Sequence, residues 1–246
     1  MKRLSSYLMW GAIGLLTLLW FPLLLVIFAV TAPFDPGRYA VGRWFRRCAK
    51  TCARMVPVWD FRIEGVVIDD PRRPYVAVAN HESFADIFLI SYLPWDMKWL
   101  SKEAIFRIPV MGWMMRMAGD IAVRRSDRRS RVGAMEEIHD RLDKKVTVII
   151  LPEGTRSPDG TLQRFKNGAF KIAVERELPI LPMAVAGTRN AMAKHSGLFN
   201  RARAIVRVLE PVETRGLTQR DVPELRERVR DQIKAARDEL RAQLAG

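Results

Sequence analysis

Residues 75–86 read YVAVANHESFAD: a short β-branched run, then a polar loop, then the opening of a helical stretch. A brief apolar run that stops in polar residues is the pattern of a buried strand delivering side chains to a sheet edge. The pattern recurs in FRIEGVVI (61–68), IAV (121–123), VTVIIL (146–151), ILPMAVAG (180–187) and AIVRVL (204–209). Between these runs, helices are expected at 84–93, 103–118, 127–143 and 166–177. A last helix is expected over 222–244, with Asp221 as N-cap and Glu224 three residues on. Its apolar face would be Leu225, Val229, Ile233, Ala236 and Leu240. Strands alternating with helices predict an α/β domain, with a mixed, largely parallel sheet flanked by helices. Sites in such domains sit where strands feed loops.

The chain has 246 residues, of which 49% are hydrophobic, so it can build one substantial core and is not disordered. Lys and Arg number 41 against 27 Asp and Glu, a formal charge of +14 that favours anionic partners. Two Cys and three His exclude a disulfide scaffold and argue against structural zinc. The charge excess is local. Residues 35–60 hold six basic side chains against two acidic, and 98–132 hold nine against three. The tail from 213 is nearly balanced, eight against seven.

The first basic block comes directly after an apolar one. No charged residue occurs from Leu4 to Phe34, a run of 31. That exceeds the roughly 20 residues that cross a hydrocarbon core. Pro22 sits inside it and is expected to kink or break the helix. Two arrangements fit: a tilted span, or a re-entrant pair of half-helices in one leaflet. Lys2 and Arg3 flank one side, and Arg38, Arg43, Arg46 and Arg47 the other. The larger cluster argues that the chain beyond residue 35 faces the cytoplasm. From Arg38 to Met55, Val41, Phe45, Cys48, Cys52 and Met55 form an apolar stripe beside a basic one of Arg43, Arg47, Lys50 and Arg54. This is the pattern of an interfacial helix in the headgroup plane; an amphipathic helix packed on the domain shows it too. The expected organisation is therefore 1–58, membrane-embedded and interfacial helices, and 59–246, an α/β domain.

Two strand ends carry unusual residues. After YVAVA come Asn80, His81, Glu82, Ser83, Phe84, Ala85 and Asp86. A carboxylate five residues after a loop His can hold its Nδ1–H and leave Nε2 as a general base. Ser83 is placed to cap the next helix. After VTVIIL come Pro152, Glu153, Gly154, Thr155, Arg156 and Ser157. Here Gly154 permits close backbone approach, Arg156 can fork onto a phosphate, and Glu153 can accept from a hydroxyl. An internal Glu–Arg pair tying the turn would use the same residues.

Together the two boxes resemble the glycerolipid acyltransferases, especially bacterial 1-acylglycerol-3-phosphate acyltransferases. N-H-x-x-x-x-D is Asn80, His81 and Asp86, and P-E-G-T-R-S is Pro152 to Ser157. A second box is similar in Lys102, Pro109, Gly112, Gly119 and Ile121–Arg124, and a fourth in Leu178–Pro182. The resemblance covers about residues 60–190; Glu82 departs from the Ser frequent after the family's His.

The resemblance implies transfer of a fatty acyl group from a thioester to the free hydroxyl of a lysophospholipid, with lysophosphatidic acid the default acceptor. By analogy His81 is the base, Asp86 fixes its tautomer, and Glu153, Gly154, Thr155, Arg156, Lys102 and Arg124 bind the acceptor and its phosphate. A backbone N–H near Gly154 is a candidate oxyanion donor. No cofactor or metal is implied beyond the acyl donor, which is acyl-CoA or an acyl carrier protein. The implied partners are membrane lipids, the lysophospholipid and that donor, with no nucleic acid. Glycerol 3-phosphate, other lysophospholipids and lyso-aminolipids are alternative acceptors.

Other readings fit less well. No G-x-S-x-G elbow exists for a serine hydrolase, and Ser157 reads as a turn residue. His139 and His195 fit no zinc spacing, and no P-loop or dinucleotide fingerprint is present. The run Arg124–Arg131 carries no aromatic stacking pattern for nucleic acid; it reads as a solvated face or a surface for an acidic carrier protein. A non-catalytic membrane-binding protein on this scaffold is opposed by intact His81 and Asp86.

Overall fold

The computed structural model describes residues 2–157, 159–193 and 196–246; His195 lies outside them. Among these residues seven strands form one sheet: β1 (Trp59–Gly65), β2 (Val76–Ala79), β3 (Met97–Lys102), β4 (Ile121–Val123), β5 (Thr147–Ile150), β6 (Ile180–Ala186) and β7 (Ala202–Val208). Their order is β1-β7-β6-β2-β5-β3-β4, and only β6 and β7 pair antiparallel. All of β2 and all of β6 are buried, as strands covered on both faces must be.

Among the described residues eight helices cover the sheet: α1 (Lys2–Thr31), α2 (Tyr39–Arg54), α3 (Asp86–Ile90), α4 (Met111–Ala118), α5 (Arg128–Asp143), α6 (Gly168–Glu175), α7 (Thr188–Ala191) and α8 (Val222–Ala245). Strand side chains alternate between faces. Ala77, Ala79, Leu181, Met183 and Val185 pack with α1 to α4. Val76, Val78, Ile180, Ala184 and Ala186 pack with α5, α6 and α8. The mixed, largely parallel sheet expected from the alternation is the one found.

Several elements differ from expectation. Strand β3 has no strand signature in the sequence, because MKWLSK carries two lysines. It forms because Lys98, fully buried, pairs with Asp96 and donates to the Arg38 carbonyl at 2.8 Å. Burial lowers the Lys98 pKa, and Asp96 opposes the shift. Strand β1 stops at Gly65, whose φ of 90° turns the chain away. The helix expected over 103–118 is a 3₁₀ turn, Glu103–Arg107, and then α4, since Pro109 cannot continue a helix. The helix expected over 84–93 shrinks to the five residues of α3. Asp221 precedes α8 but caps nothing; its carboxylate accepts from the Thr218 N–H and hydroxyl at 2.7 and 2.8 Å. The apolar face expected for α8 is buried in full.

The N-terminal helices differ more. Helix α1 runs unbroken through Pro22, so no pair of half-helices forms. It is braced near its middle: Trp20 stacks on Trp44 of α2 at 4.7 Å, and Phe21 meets Trp113 of α4 at 5.8 Å. Among the described residues α1 alone is long and apolar enough to cross a membrane. The apolar stripe of α2 turns inward: Val41, Phe45, Cys48 and Cys52 are buried against the domain and α1. Met55, at its end, is partly exposed, and a larger apolar surface is the one α1 presents outward.

Arg46, expected beside the membrane, is also buried. It pairs with Asp120 and lies 3.5 Å from Asp96, docking α2 on the start of β3 and β4. Asp120 accepts the Trp99 N–H at 3.0 Å through Oδ1, and its Oδ2 has no partner. Breaking one half of a buried pair strands the other charge. Arg46→Met is expected to lower unfolding free energy by about 3–5 kcal/mol in detergent, and Arg46→Met with Asp120→Leu to recover most of it, measured by denaturant titration.

Candidate active site

The loop after β2 is fixed at its root. The Asn80 side chain donates to the Val185 carbonyl at 2.9 Å and accepts the Val185 N–H at 2.8 Å, tying the end of β2 to β6. His81 then turns back on Asp86. Its Nδ1 lies 2.7 Å from Asp86 Oδ2. The same oxygen accepts the N–H groups of Glu82 at 2.9 Å and Ser83 at 3.1 Å, while Oδ1 accepts the Thr188 hydroxyl. Asp86 is wholly buried, so these donors replace its water. A carboxylate only accepts, so Nδ1 carries the ring proton and Nε2 is left with its lone pair. The His81 side chain is 17% exposed, enough for Nε2 to meet a ligand. Ser83 does not cap α3 at its first residue; its hydroxyl accepts the Ala85 N–H at 3.2 Å and donates to the Met192 carbonyl.

The turn after β5 grips His81 by the backbone. Glu153 Oε1 accepts the His81 N–H at 2.6 Å, and the Ser157 N–H donates to the His81 carbonyl at 3.1 Å. Glu153 Oε2 accepts the Gln163 N–H at 3.1 Å. Burial pushes the Glu153 carboxyl above its ordinary range, and those two N–H groups pull it back. Placed by sequence near the acceptor, Glu153 instead ties the two boxes together, because a buried carboxylate takes the donors nearest to it. Gly154, at φ 74°, also differs from expectation. Its own N–H donates to the Leu151 carbonyl at 3.0 Å, and its carbonyl accepts from Arg125. Ser157 is a turn residue as expected, its hydroxyl accepting the Gly160 N–H at 2.8 Å.

The cleft in front of His81 has a volume of about 720 Å³ and brings together Lys102, Arg124, Arg125, Thr155 and Arg156. Glu153 and Gly154 are not on its wall. Glu103 and Arg107 are, and the sequence does not single them out, since a charge beside Lys102 reads as a solvated one. Glu103 holds Arg124 through two bonds of 2.7 and 2.9 Å, and Arg107 lies 3.4 Å away. These guanidinium groups, Arg124 first, draw the Glu103 carboxyl down to about 2. Phe84, Ile87, Trp99, Ser101 and Ile105 are shared with a second hollow of about 510 Å³. It is lined mainly by apolar side chains of α1, α2, α3 and the segment 105–115. Among the described residues, no group of three or more His, Cys, Asp or Glu is arranged to hold a metal ion. The arrangement supplies a base, cations for an anionic group, and an apolar hollow for a chain.

Residues 61–186 match the family described as Acyltransferase. A Saccharomyces cerevisiae protein named 1-acyl-sn-glycerol-3-phosphate acyltransferase is 31% identical over 202 residues, covering 80% of this chain and 66% of that one. The chloroplastic 1-acyl-sn-glycerol-3-phosphate acyltransferase LPAT1 of Arabidopsis thaliana is 34% identical over 181 residues, 73% of this chain and 51% of that one. The human 1-acyl-sn-glycerol-3-phosphate acyltransferase alpha is 35% identical over 162 residues, 65% and 57%. The chain thus spans about half to two thirds of these relatives' length. The crystal structure of the 1-acyl-sn-glycerophosphate (LPA) acyltransferase PlsC from Thermotoga maritima superposes with a TM-score of 0.71 at 27% identity, covering 98% of both chains.

Asp86 accepts four hydrogen bonds, and an amide cannot accept them all. Asp86→Asn is expected to cost about 1–3 kcal/mol of unfolding free energy, read by denaturant titration, because buried donors lose their partner.

Proposed function

The chain belongs to the acyltransferase family, and on that premise we propose that it transfers a fatty acyl group from a thioester to the free hydroxyl of lysophosphatidic acid, giving phosphatidic acid. The observation that carries this is the His81–Asp86 pair, at 2.7 Å, opening with its free Nε2 on a cleft of cations that continues into an apolar hollow. The names of the relatives support this acceptor.

In this mechanism the acceptor hydroxyl donates to Nε2. As its oxygen attacks the thioester carbonyl, its proton passes to Nε2, and the buried Asp86 carboxylate stabilises the imidazolium. The tetrahedral oxyanion collapses, the C–S bond breaks, and the imidazolium returns its proton to the departing thiolate. The products are an ester and a thiol. A positioned base typically contributes about 10² to 10⁴ in rate. No acyl-enzyme is needed, because an activated thioester and an oriented alcohol react directly. Arg156, Lys102 and Thr155 face the acceptor's phosphate. Arg124 reaches it from the pair with Glu103. The hollow beside α1 takes an acyl chain. The reading needs no cofactor beyond the thioester co-substrate.

The same reading seats residues 1–58 in one leaflet and leaves 59–246 as the catalytic part on the cytoplasmic face of an inner membrane. Leu4, Leu8, Leu15, Leu19, Val26 and Val30 project outward from α1, and Ile108 and Trp113 are exposed. An apolar surface of that extent needs a cover. Helix α1 touches the domain at two places: Trp10 donates to the Gly197 carbonyl at 2.7 Å, and Phe21 meets Trp113 at 5.8 Å. A helix braced so lies along the domain and favours in-plane insertion over a span. The exposed arginines at the start of α5, Arg128 and Arg129, suit an anionic donor, whether coenzyme A or an acidic carrier protein.

Two variants test the assignment with detergent-purified protein and a radiolabelled acyl thioester. His81→Ala is expected to abolish transfer to lysophosphatidic acid while leaving the protein folded and membrane-bound; activity within about tenfold of wild type would remove His81 as base. Arg156→Ala is expected to raise the acceptor KM far more than the donor KM, and equal effects would move Arg156 out of the acceptor site.

A further inference from the structure

Glu82, next to the base, is 6% exposed, and its side chain turns away from the cleft. It lines a separate hollow of about 970 Å³ on the β1–β7 side of the sheet edge. Its Oε1 accepts from Arg241 at 2.7 Å and its Oε2 accepts the Gly187 N–H at 3.1 Å. Arg241 belongs to the last turns of α8, 159 residues away. Its guanidinium also donates to the Gly160 carbonyl at 2.8 Å.

Each contact leads to the base through two further hydrogen bonds. The Glu82 N–H donates at 2.9 Å to Asp86 Oδ2, the oxygen that holds His81 Nδ1. The Gly160 N–H donates at 2.8 Å to the hydroxyl of Ser157, whose own N–H holds the His81 carbonyl. Arg241 therefore contacts both the loop that carries His81 and the loop that holds its backbone.

We propose that Arg241 is a positioning residue for acyl transfer: through Glu82 and through Gly160 it sets the angle at which Asp86 presents the His81 ring. The proposal rests on the acyl-transfer reading. Its physical ground is charge. Glu82 and Asp86 are buried carboxylates four residues apart. Burial, and then the Asp86 charge, push the Glu82 carboxyl upward, and Arg241 opposes both. Without Arg241, Glu82 either takes a proton or swings toward water. Each change moves the Glu82 backbone and loosens its N–H from Asp86. Helix α8 is anchored on its own by Leu225, Val229, Ile233 and Leu240, so the clamp adds to a helix already in place. Arg237, also on α8, reaches Gly160 at 3.4 Å but makes no bond to Glu82.

The test compares wild type, Arg241→Met, Arg241→Lys and Arg241→Met with Glu82→Gln, all full-length in detergent, using lysophosphatidic acid and an acyl thioester. Arg241→Met is expected to lower kcat about tenfold or more with acceptor KM within about twofold. Arg241→Lys is expected to keep most of kcat. Adding Glu82→Gln to Arg241→Met is expected to recover about threefold, because it removes the stranded charge. A kcat for Arg241→Met near wild type, or a loss that Glu82→Gln does not relieve, would overturn the proposal.

A second readout needs no substrate: the rate at which diethyl pyrocarbonate modifies His81, tracked on its peptide by mass spectrometry. It is expected to change about threefold in Arg241→Met and to return with Glu82→Gln. An unchanged rate overturns the clamp even if wild type transfers nothing to lysophosphatidic acid, a result that counts against the acyl-transfer reading instead. Should Arg241→Met fail to fold, Glu82→Gln alone decides: a loss of kcat at constant acceptor KM, with an altered His81 modification rate, supports the clamp, and wild-type values for both overturn it.

Discussion

A carboxylate buried without water holds its geometry only if protein donors replace the solvent it has lost. Asp86 meets that condition from three directions: the His81 ring, two backbone N–H groups of its own loop, and the Thr188 hydroxyl beyond β6. This condition sets the position of His81, and it also requires β2 and β6 to end side by side. Glu153 repeats the device one strand over. It spends its two oxygens on the His81 N–H and the Gln163 N–H. Two buried acids thus convert three strand ends into one rigid support, and preorganisation of this kind is what a base needs if it is not to reorganise during reaction.

The parts legible in the sequence are those whose signal is local. The spacing from His81 to Asp86 places a carboxylate within one short helix of the ring, and that contact forms. The strand runs and the apolar face of α8 are equally local. Hidden from the sequence are residues whose meaning depends on a distant partner. Glu153 looks like a ligand for a hydroxyl, yet its partner is the backbone of residue 81, which no spacing reveals. Arg46 looks like a membrane-flanking cation, yet Asp96 and Asp120, far along the chain, neutralise it inside the domain. Strand β3 is hidden because its lysine is paired and buried, so polarity at position 98 means the reverse of exposure. Glu82 looks inconsequential beside the base until Arg241 is placed against it.

The membrane segment shows the same division. Its length and apolarity are plain, but its arrangement is set by packing. Helix α2 turns its apolar stripe inward because α1 and the sheet offer it a surface, and α1 is left with the exposed apolar side chains. Helix α1 continues through Pro22, and the two residues just before it, Trp20 and Phe21, pack on Trp44 and Trp113. The apolar hollow beside His81 is walled partly by these same helices.

In the proposed mechanism His81 acts as a base on the acceptor and never carries the acyl group. Thiol release, monitored after rapid mixing of an acyl thioester with excess detergent-solubilised protein in the absence of acceptor, tests it most directly. The account predicts no burst, with thiol appearing only once lysophosphatidic acid is added. A burst approaching one thiol per molecule of thioester supplied before the acceptor arrives, with the acyl group retained on the chain, would contradict it.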